Sequence, residues 1–203
     1  AVLIVLSYPV ARVFVGEYPA TAALGNVIAA FMIGLLPFSF VYMMQRAFFA
    51  LEDTRTPFIF TSIQIAIHIT GSITAGFLAP KEILVVTIAL ITAFSISVQG
   101  LIAYAMLKKR IGTLSGFGVS RSLAKFLLSA VPATAAGVGT LWVIGGIGAD
   151  SFAVDTVLSA VLSCILVASA MSGVYLLTLA LLKSPELREI FVGLKGRFGQ
   201  AKK

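Results

Sequence analysis

Few side chains in this sequence can do chemistry, and they lie inside or beside long apolar runs. Gln64 and His68 are four residues apart and share one helix face, with Thr61 and Ser72 near the same side. Gln45, Ser95, Ser97 and Gln99 are the other polar groups at membrane depth, and Arg46 closes an apolar run. A histidine inside a span either handles a proton or ligand, or donates a hydrogen bond that holds helices together. Both readings stay open for His68. Arg46 can meet an anionic lipid phosphate or carry its charge out to the interface along its own aliphatic stem. Arg46, Gln64, His68 and Gln99 are therefore the candidates for a substrate path.

The parts of an enzyme centre are missing from the sequence. It has one histidine, one cysteine, no HExxH, no Walker-type phosphate loop and no carboxylate inside an apolar run. Neither metal-assisted hydrolysis nor nucleophilic catalysis is expected, and no metal or cofactor. Gly145-Gly146-Ile147-Gly148 reads as a turn between helices, because no strand precedes it. Cys164 lies in an apolar run and has no second cysteine to pair with.

The elements that must position these groups follow from composition. The sequence is 59% hydrophobic and 11% charged, against about a quarter charged in soluble domains. Charge-free stretches run between Glu17 and Arg46, and from Phe58 to Ala79, Ile83 to Leu107, Phe126 to Ala149 and Thr156 to Leu182. Each reaches the roughly 20 residues that cross a bilayer as a helix. Continuous apolar runs without strict alternation, in a medium that leaves no backbone group unpaired, choose helix over strand. The expectation is an all-α, polytopic transmembrane bundle with five complete spans, at about 19–45, 57–80, 83–107, 121–146 and 154–182. Ala1 to Ala11 is too short to cross and is read as the tail of a further helix. Residues 1–183 then read as the C-terminal membrane lobe of a longer protein.

Charge placement sets the expected orientation. Thirteen Lys and Arg fall at 46–55, 108–125 and 183–203, and only Arg12 and Lys81 at the alternate loops. By the positive-inside rule the first set, and the C-terminus, face the cytoplasm. Net charge +7 is thus a topology signal; bases at the ends of apolar runs do not make a nucleic-acid surface. After Lys183, residues 184–203 read as an amphipathic basic tail, with Leu187, Ile190, Phe191, Leu194 and Phe198 on one side and Arg188, Lys195 and Arg197 off that stripe. Such a tail lies on an anionic leaflet.

Small residues mark where helices can approach. Ala160, Cys164, Ala168 and Ser172 recur every fourth residue, and Ala133/Gly137 and Ala135/Gly139 repeat that spacing one span earlier. Packing is the first reading and a groove between the two spans the second. Pro37 and Pro132 lie inside spans, where each removes a backbone hydrogen bond.

The loop Arg46-Ala47-Phe48-Phe49-Ala50-Leu51-Glu52-Asp53-Thr54-Arg55-Thr56-Pro57 joins two spans, with Thr56 expected to cap the second and Pro57 to fit its first turn. It resembles the "R-x-F-Y-A-x-x-D-T-[RK]-T-P" stretch of the MurJ/MviN lipid II flippases, with Phe49 where Tyr is usual and Arg46, Asp53, Thr54, Arg55, Thr56 and Pro57 in place. A shorter Asp-Thr-x-x-Pro form recurs in related multidrug and polysaccharide exporters. The resemblance covers the whole chain, as about the last six of fourteen helices.

The resemblance implies a two-lobed, inverted-V transporter of the bacterial cell membrane. It would move the undecaprenyl-linked peptidoglycan precursor, lipid II, from inner to outer leaflet by alternating access. Its partners would be that lipid-linked precursor, membrane lipids and a missing N-terminal lobe, with no nucleic acid. The last two spans would form a lipid-tail groove, and the family's essential cavity arginines would lie in the first lobe. Some members are expected to couple to cations through carboxamide or carboxylate groups in the helix after the loop; here that face offers His68 and Ser72. The other readings are a multidrug or polysaccharide exporter of the same superfamily, and a non-transporting membrane scaffold for cell-wall synthesis.

Overall fold

A computed structural model of the chain describes residues 1–112, 117–148 and 151–182, with side chains of 117–124 outside the description. The tail at 184–203 therefore lies outside the described residues. The elements are α1 (Val2–Val5), α2 (Ser7–Phe14), α3 (Tyr18–Ala50), α4 (Arg55–Leu78), α5 (Leu84–Ile111), α6 (Phe117–Val143), α7 (Phe152–Asp155) and α8 (Val157–Leu181). No strand occurs among the described residues. Five helices are long and apolar enough to cross a membrane: α3, α4, α5, α8 and, from Lys125 onward, α6. Large apolar side chains such as Phe58, Phe77, Leu101, Trp142 and Leu158 point outward, as lipid-facing surfaces require.

At their C-terminal ends α3 and α5 outrun the charge-free stretches that announce them. α3 continues through Arg46 to Ala50, and α5 through Lys108, Lys109 and Arg110 to Ile111. At about 1.5 Å per residue α3 is some 50 Å long, more than the roughly 30 Å hydrocarbon core, so its charged end can leave the membrane without leaving the helix. Both internal prolines, Pro37 and Pro132, sit within continuous helices.

Two expectations are corrected. The start is not one helix tail over residues 1–11 but two short helices broken at Leu6, the second reaching Phe14. Pro9 has no amide to give Val5, and it fits the first turn of a new helix instead. The last span is likewise entered by a separate turn, α7, before Thr156 restarts the helix. There Thr156 Oγ1 accepts from the Ser159 amide at 3.2 Å while Ser159 Oγ accepts from the Thr156 amide at 3.0 Å, a reciprocal capping box.

The chain divides into two compact units, α2 to α5 in one and α1 with α6 to α8 in the other. In the first, α5 packs against both α3 and α4, while α3 and α4 scarcely meet. Gly34 of α3 makes the close approach to α5, since a Cβ there would come within 3.1 Å of the Ala93 Cα. Val41, Phe48, Phe60, Ala103 and Leu107 form a buried cluster from all three helices, with the Phe48 and Phe60 rings 5.8 Å apart and tilted.

In the second unit α6 packs on α8. The buried face of α8 runs through Ala160, Ser163, Val167 and Met171, whereas Ser172 is exposed. The fourfold spacing Ala160–Cys164–Ala168–Ser172 therefore does not stay at the contact. Steps of four drift about 40° each, so three of them swing roughly a third of a turn off the face that the 3-4-4 spacing keeps. The two pairs on α6 also part company. Gly137 faces α8, where a Cβ would meet Met171 Sδ at 2.4 Å, while Gly139 has nothing near it.

Candidate functional site

Gln64, His68, Ser95 and Gln99 meet at one seam, between α4 and α5, whereas Gln45 lies on α3 and Ser97 donates to the Ala93 carbonyl of its own helix. Gln99 Nε2 donates to Thr61 Oγ1 at 3.1 Å, Gln64 Nε2 to Ser95 Oγ at 3.2 Å, and His68 Nε2 lies 3.0 Å from Thr92 Oγ1. Residue numbers rise on α4 as they fall on α5, as antiparallel neighbours demand. The spacings of three and four on each helix keep every rung on one face.

Proton accounting fixes the direction of two rungs. Ser95 Oγ donates its one hydrogen to the Thr92 carbonyl at 2.9 Å, and Thr92 Oγ1 donates its own to the Ile88 carbonyl at 2.9 Å. Each hydroxyl can then only accept across the seam. With that hydrogen committed, Thr92 Oγ1 is placed to accept from His68 Nε2. Ser95 is fully buried and Gln99 is 6% exposed, so these bonds satisfy groups that would otherwise be stranded in an apolar setting. One turn beyond His68, Ser72 Oγ is buried and has no hydrogen-bond partner among the described residues.

Arg46 is not part of this seam. Its side chain is exposed, donates through Nη2 to the Tyr42 hydroxyl at 3.0 Å, and places its guanidinium carbon 4.7 Å from the Tyr42 ring centroid. That is a cation–π contact one helical turn away on the same helix.

The loop after Arg46 is built from backbone geometry. Glu52 takes a left-handed conformation, φ 56°. The Asp53 amide donates to the Phe48 carbonyl and the Glu52 amide to the Phe49 carbonyl, both at 3.0 Å. These are the two bonds of a Schellman ending, with glutamate where glycine is usual. Asp53 then starts α4. Its Oδ1 accepts from the amides of Arg55 (3.1 Å) and Thr56 (3.0 Å), and its Oδ2 from the Thr56 hydroxyl at 2.7 Å. The cap is thus Asp53 and not Thr56, whose hydroxyl hydrogen is spent on that carboxylate. Thr54 follows with nearly helical backbone, Arg55 is exposed, and Pro57 fits the first turn as expected.

Arg110, at the far end of α5, forms an ion pair with Asp53 through Nη1. The Thr56 hydroxyl, the Thr56 amide and, after them, Arg110 hold the Asp53 carboxyl below the usual carboxylate range. Neither this pair nor Thr92 was foreseen from sequence. A basic residue in the last turn of a helix that must return to the same membrane face as Asp53 is the signal that pointed there.

Buried interhelical hydrogen bonds, a lipid-facing exterior and a charged loop at one end define a multi-pass helical membrane protein. Among the described residues no three His, Cys, Asp or Glu gather to hold a metal. A model of the lipid II flippase MurJ family matches residues 1–162, and the chain belongs to that family. A protein from Rhizobium meliloti (strain 1021), described as a probable lipid II flippase MurJ, is 35% identical over 78 residues. The match covers 36% of this chain and 15% of that relative, so the chain spans a small part of the relative's length. No solved structure matches the chain.

Proposed function

We propose that this chain forms part of a lipid flippase that carries the undecaprenyl-linked peptidoglycan precursor from the inner to the outer leaflet of the bacterial cell membrane. The observation that carries this is the family match across residues 1–162, which extends well beyond the Asp53-to-Pro57 loop shared with multidrug and polysaccharide exporters. The mechanism we assign is alternating access, with residues 1–183 as a C-terminal lobe that rocks against a second lobe. The basic ends of α3 and α5 and residues 184–203 face the cytoplasm in this reading, supported by the thirteen-to-two division of bases among the loops. Catalysis plays no part in it.

Within that scheme the α4–α5 seam serves as a rigid member. Gln64 and Gln99 are engaged by hydroxyls across it, and His68 has one nitrogen engaged. Arg46, exposed beside Tyr42, is the candidate to touch an anionic head group. Depleting the parent protein in its host and measuring lipid-linked precursor on each leaflet tests the reading. Accumulation on the inner leaflet with stalled wall synthesis is expected. An unchanged distribution with new drug sensitivity would transfer the assignment to a multidrug exporter, and no change in either would leave a scaffold.

A further inference from the structure

The basic end of α5 carries two cavities that meet at one lysine. One, of about 550 Å³, is lined by Ala105, Met106, Lys108 and Lys109. The other, of about 250 Å³, shares Met106 and Lys109 and is completed by Phe48, Thr56 and Arg110. Each has an apolar floor and a cationic rim.

A base in the last helical turn already complements the helix dipole, and that alone would explain one positive charge. It does not explain cavities whose floors are apolar where their rims are charged. Among the described residues neither Lys108 nor Lys109 has a carboxylate partner. Arg110 gives one nitrogen to Asp53 but is 51% exposed, and a guanidinium has five N–H donors. The Thr56 hydroxyl hydrogen is already spent on Asp53, so the unspent donors at the rim are cationic. An amphiphile with an anionic head and a hydrocarbon chain matches that arrangement; a fully water-soluble anion would leave the Met106 and Ala105 floor unused.

We propose that the end of α5 is a binding site for an anionic glycerophospholipid, its phosphate on Lys109 and the outer face of Arg110 and one chain against Ala105 and Met106. The site uses none of Arg46, Gln64, His68 and Gln99 and stands whether or not the flippase reading holds. The same seat lets the lipid phosphate brace the Asp53–Arg110 pair from outside, so a bound lipid steadies the loop between α3 and α4.

The full chain, purified in non-ionic detergent, is offered phosphatidylglycerol or phosphatidylcholine of matched chains, and retained lipid is counted by native mass spectrometry. Phosphatidylglycerol is expected to be held in preference, and Lys109→Gln to weaken it about fivefold, the share of one base at an anionic surface. Ala105→Phe, which fills the exposed floor and keeps every charge, is expected to weaken it as well. Lys81→Gln, at the opposite end of the spans, is expected to leave it unchanged. Equal retention of the two lipids, or an equal loss from Lys81→Gln, overturns the proposal. So does competition by soluble glycerol phosphate at the lipid's own potency, since that would be an anion site without a chain. Helical content by circular dichroism must match wild type for each variant; the exposed positions Ala105 and Lys109 allow that.

Discussion

Asp53 and Arg110, 57 residues apart in the chain, meet at one membrane face, and the same carboxylate that takes Arg110 also starts α4. The two duties respond differently to substitution. Arg110→Ala removes one of several contacts, whereas Asp53→Ala leaves the first amides of α4 without their acceptor. The thermal midpoint is expected to fall more for Asp53→Ala than for Arg110→Ala, measured in the same detergent.

The pH dependence follows from the sign of the shift. The folded carboxyl titrates below its ordinary value of 3.8. Its contribution is therefore complete above that value and lost as pH falls through the lower, folded one. On acidification below about pH 4 the wild type is expected to lose stability that Asp53→Asn never had. Parallel curves for the two proteins would refute the assignment.

Glu52 holds a backbone conformation that suits glycine. Glu52→Gly is expected to relieve it, with a net gain of about 0.5–1 kcal/mol once glycine's greater freedom in the unfolded chain is subtracted. Glu52→Val, β-branched at the same φ, should lose at least that much. Unfolding titrations with a denaturing detergent report both.

The rungs between α4 and α5 can be weighed by double-mutant cycles. Thr61→Val with Gln99→Leu is expected to show a coupling of about 0.6 kcal/mol, the usual value for a hydrogen bond between membrane helices. His68→Gln keeps a donor for Thr92 but no titratable ring, and His68→Leu keeps neither. If His68 only holds the helices, the full-length protein with His68→Gln should transport normally; loss of transport at unchanged stability would mark a proton-handling residue.

Gly137 and Gly139 differ by two positions and by everything that surrounds them. Gly137→Leu would drive into Met171 and is expected to cost about 1–3 kcal/mol. Gly139 lines an open apolar groove with Ala135 and Val138, and Gly139→Leu should leave stability within about 0.5 kcal/mol of wild type. A transport defect in the second variant alone would assign that groove to a lipid tail.

The five spans were legible because absence of charge over about 20 residues is a property of sequence alone. Their ends were less so: Arg46 and Lys108 stop a hydropathy run but not a helix, because a charged side chain can reach water from a helix that continues. A hydroxyl just before a proline marks Thr56 as the cap in sequence, yet Asp53 is the better acceptor once Glu52 turns left-handed. Gln64, His68 and Gln99 stood out as polar residues in apolar surroundings. Their partners, Thr61, Thr92 and Ser95, depend on the register of two helices. Hydroxyls are common in spans, so nothing local separates Thr92 from Thr87 or Ser97. The contact face of α8 departs from the fourfold repeat for a geometric reason, since a repeat of four is not quite the period of the helix.

The rungs on α4 sit at 61, 64 and 68 and those on α5 at 99, 95 and 92. Slide either helix by less than a turn and all three lose their partners together; only a whole turn brings polar groups opposite one another again, Gln64 to Thr92 in one sense and His68 to Ser95 in the other. The pair is geared: it can tilt or travel as a unit, but its two members cannot shear past each other in small steps. Adjustments smaller than a turn are left to its ends, the left-handed turn at Glu52 and the short link between α4 and α5.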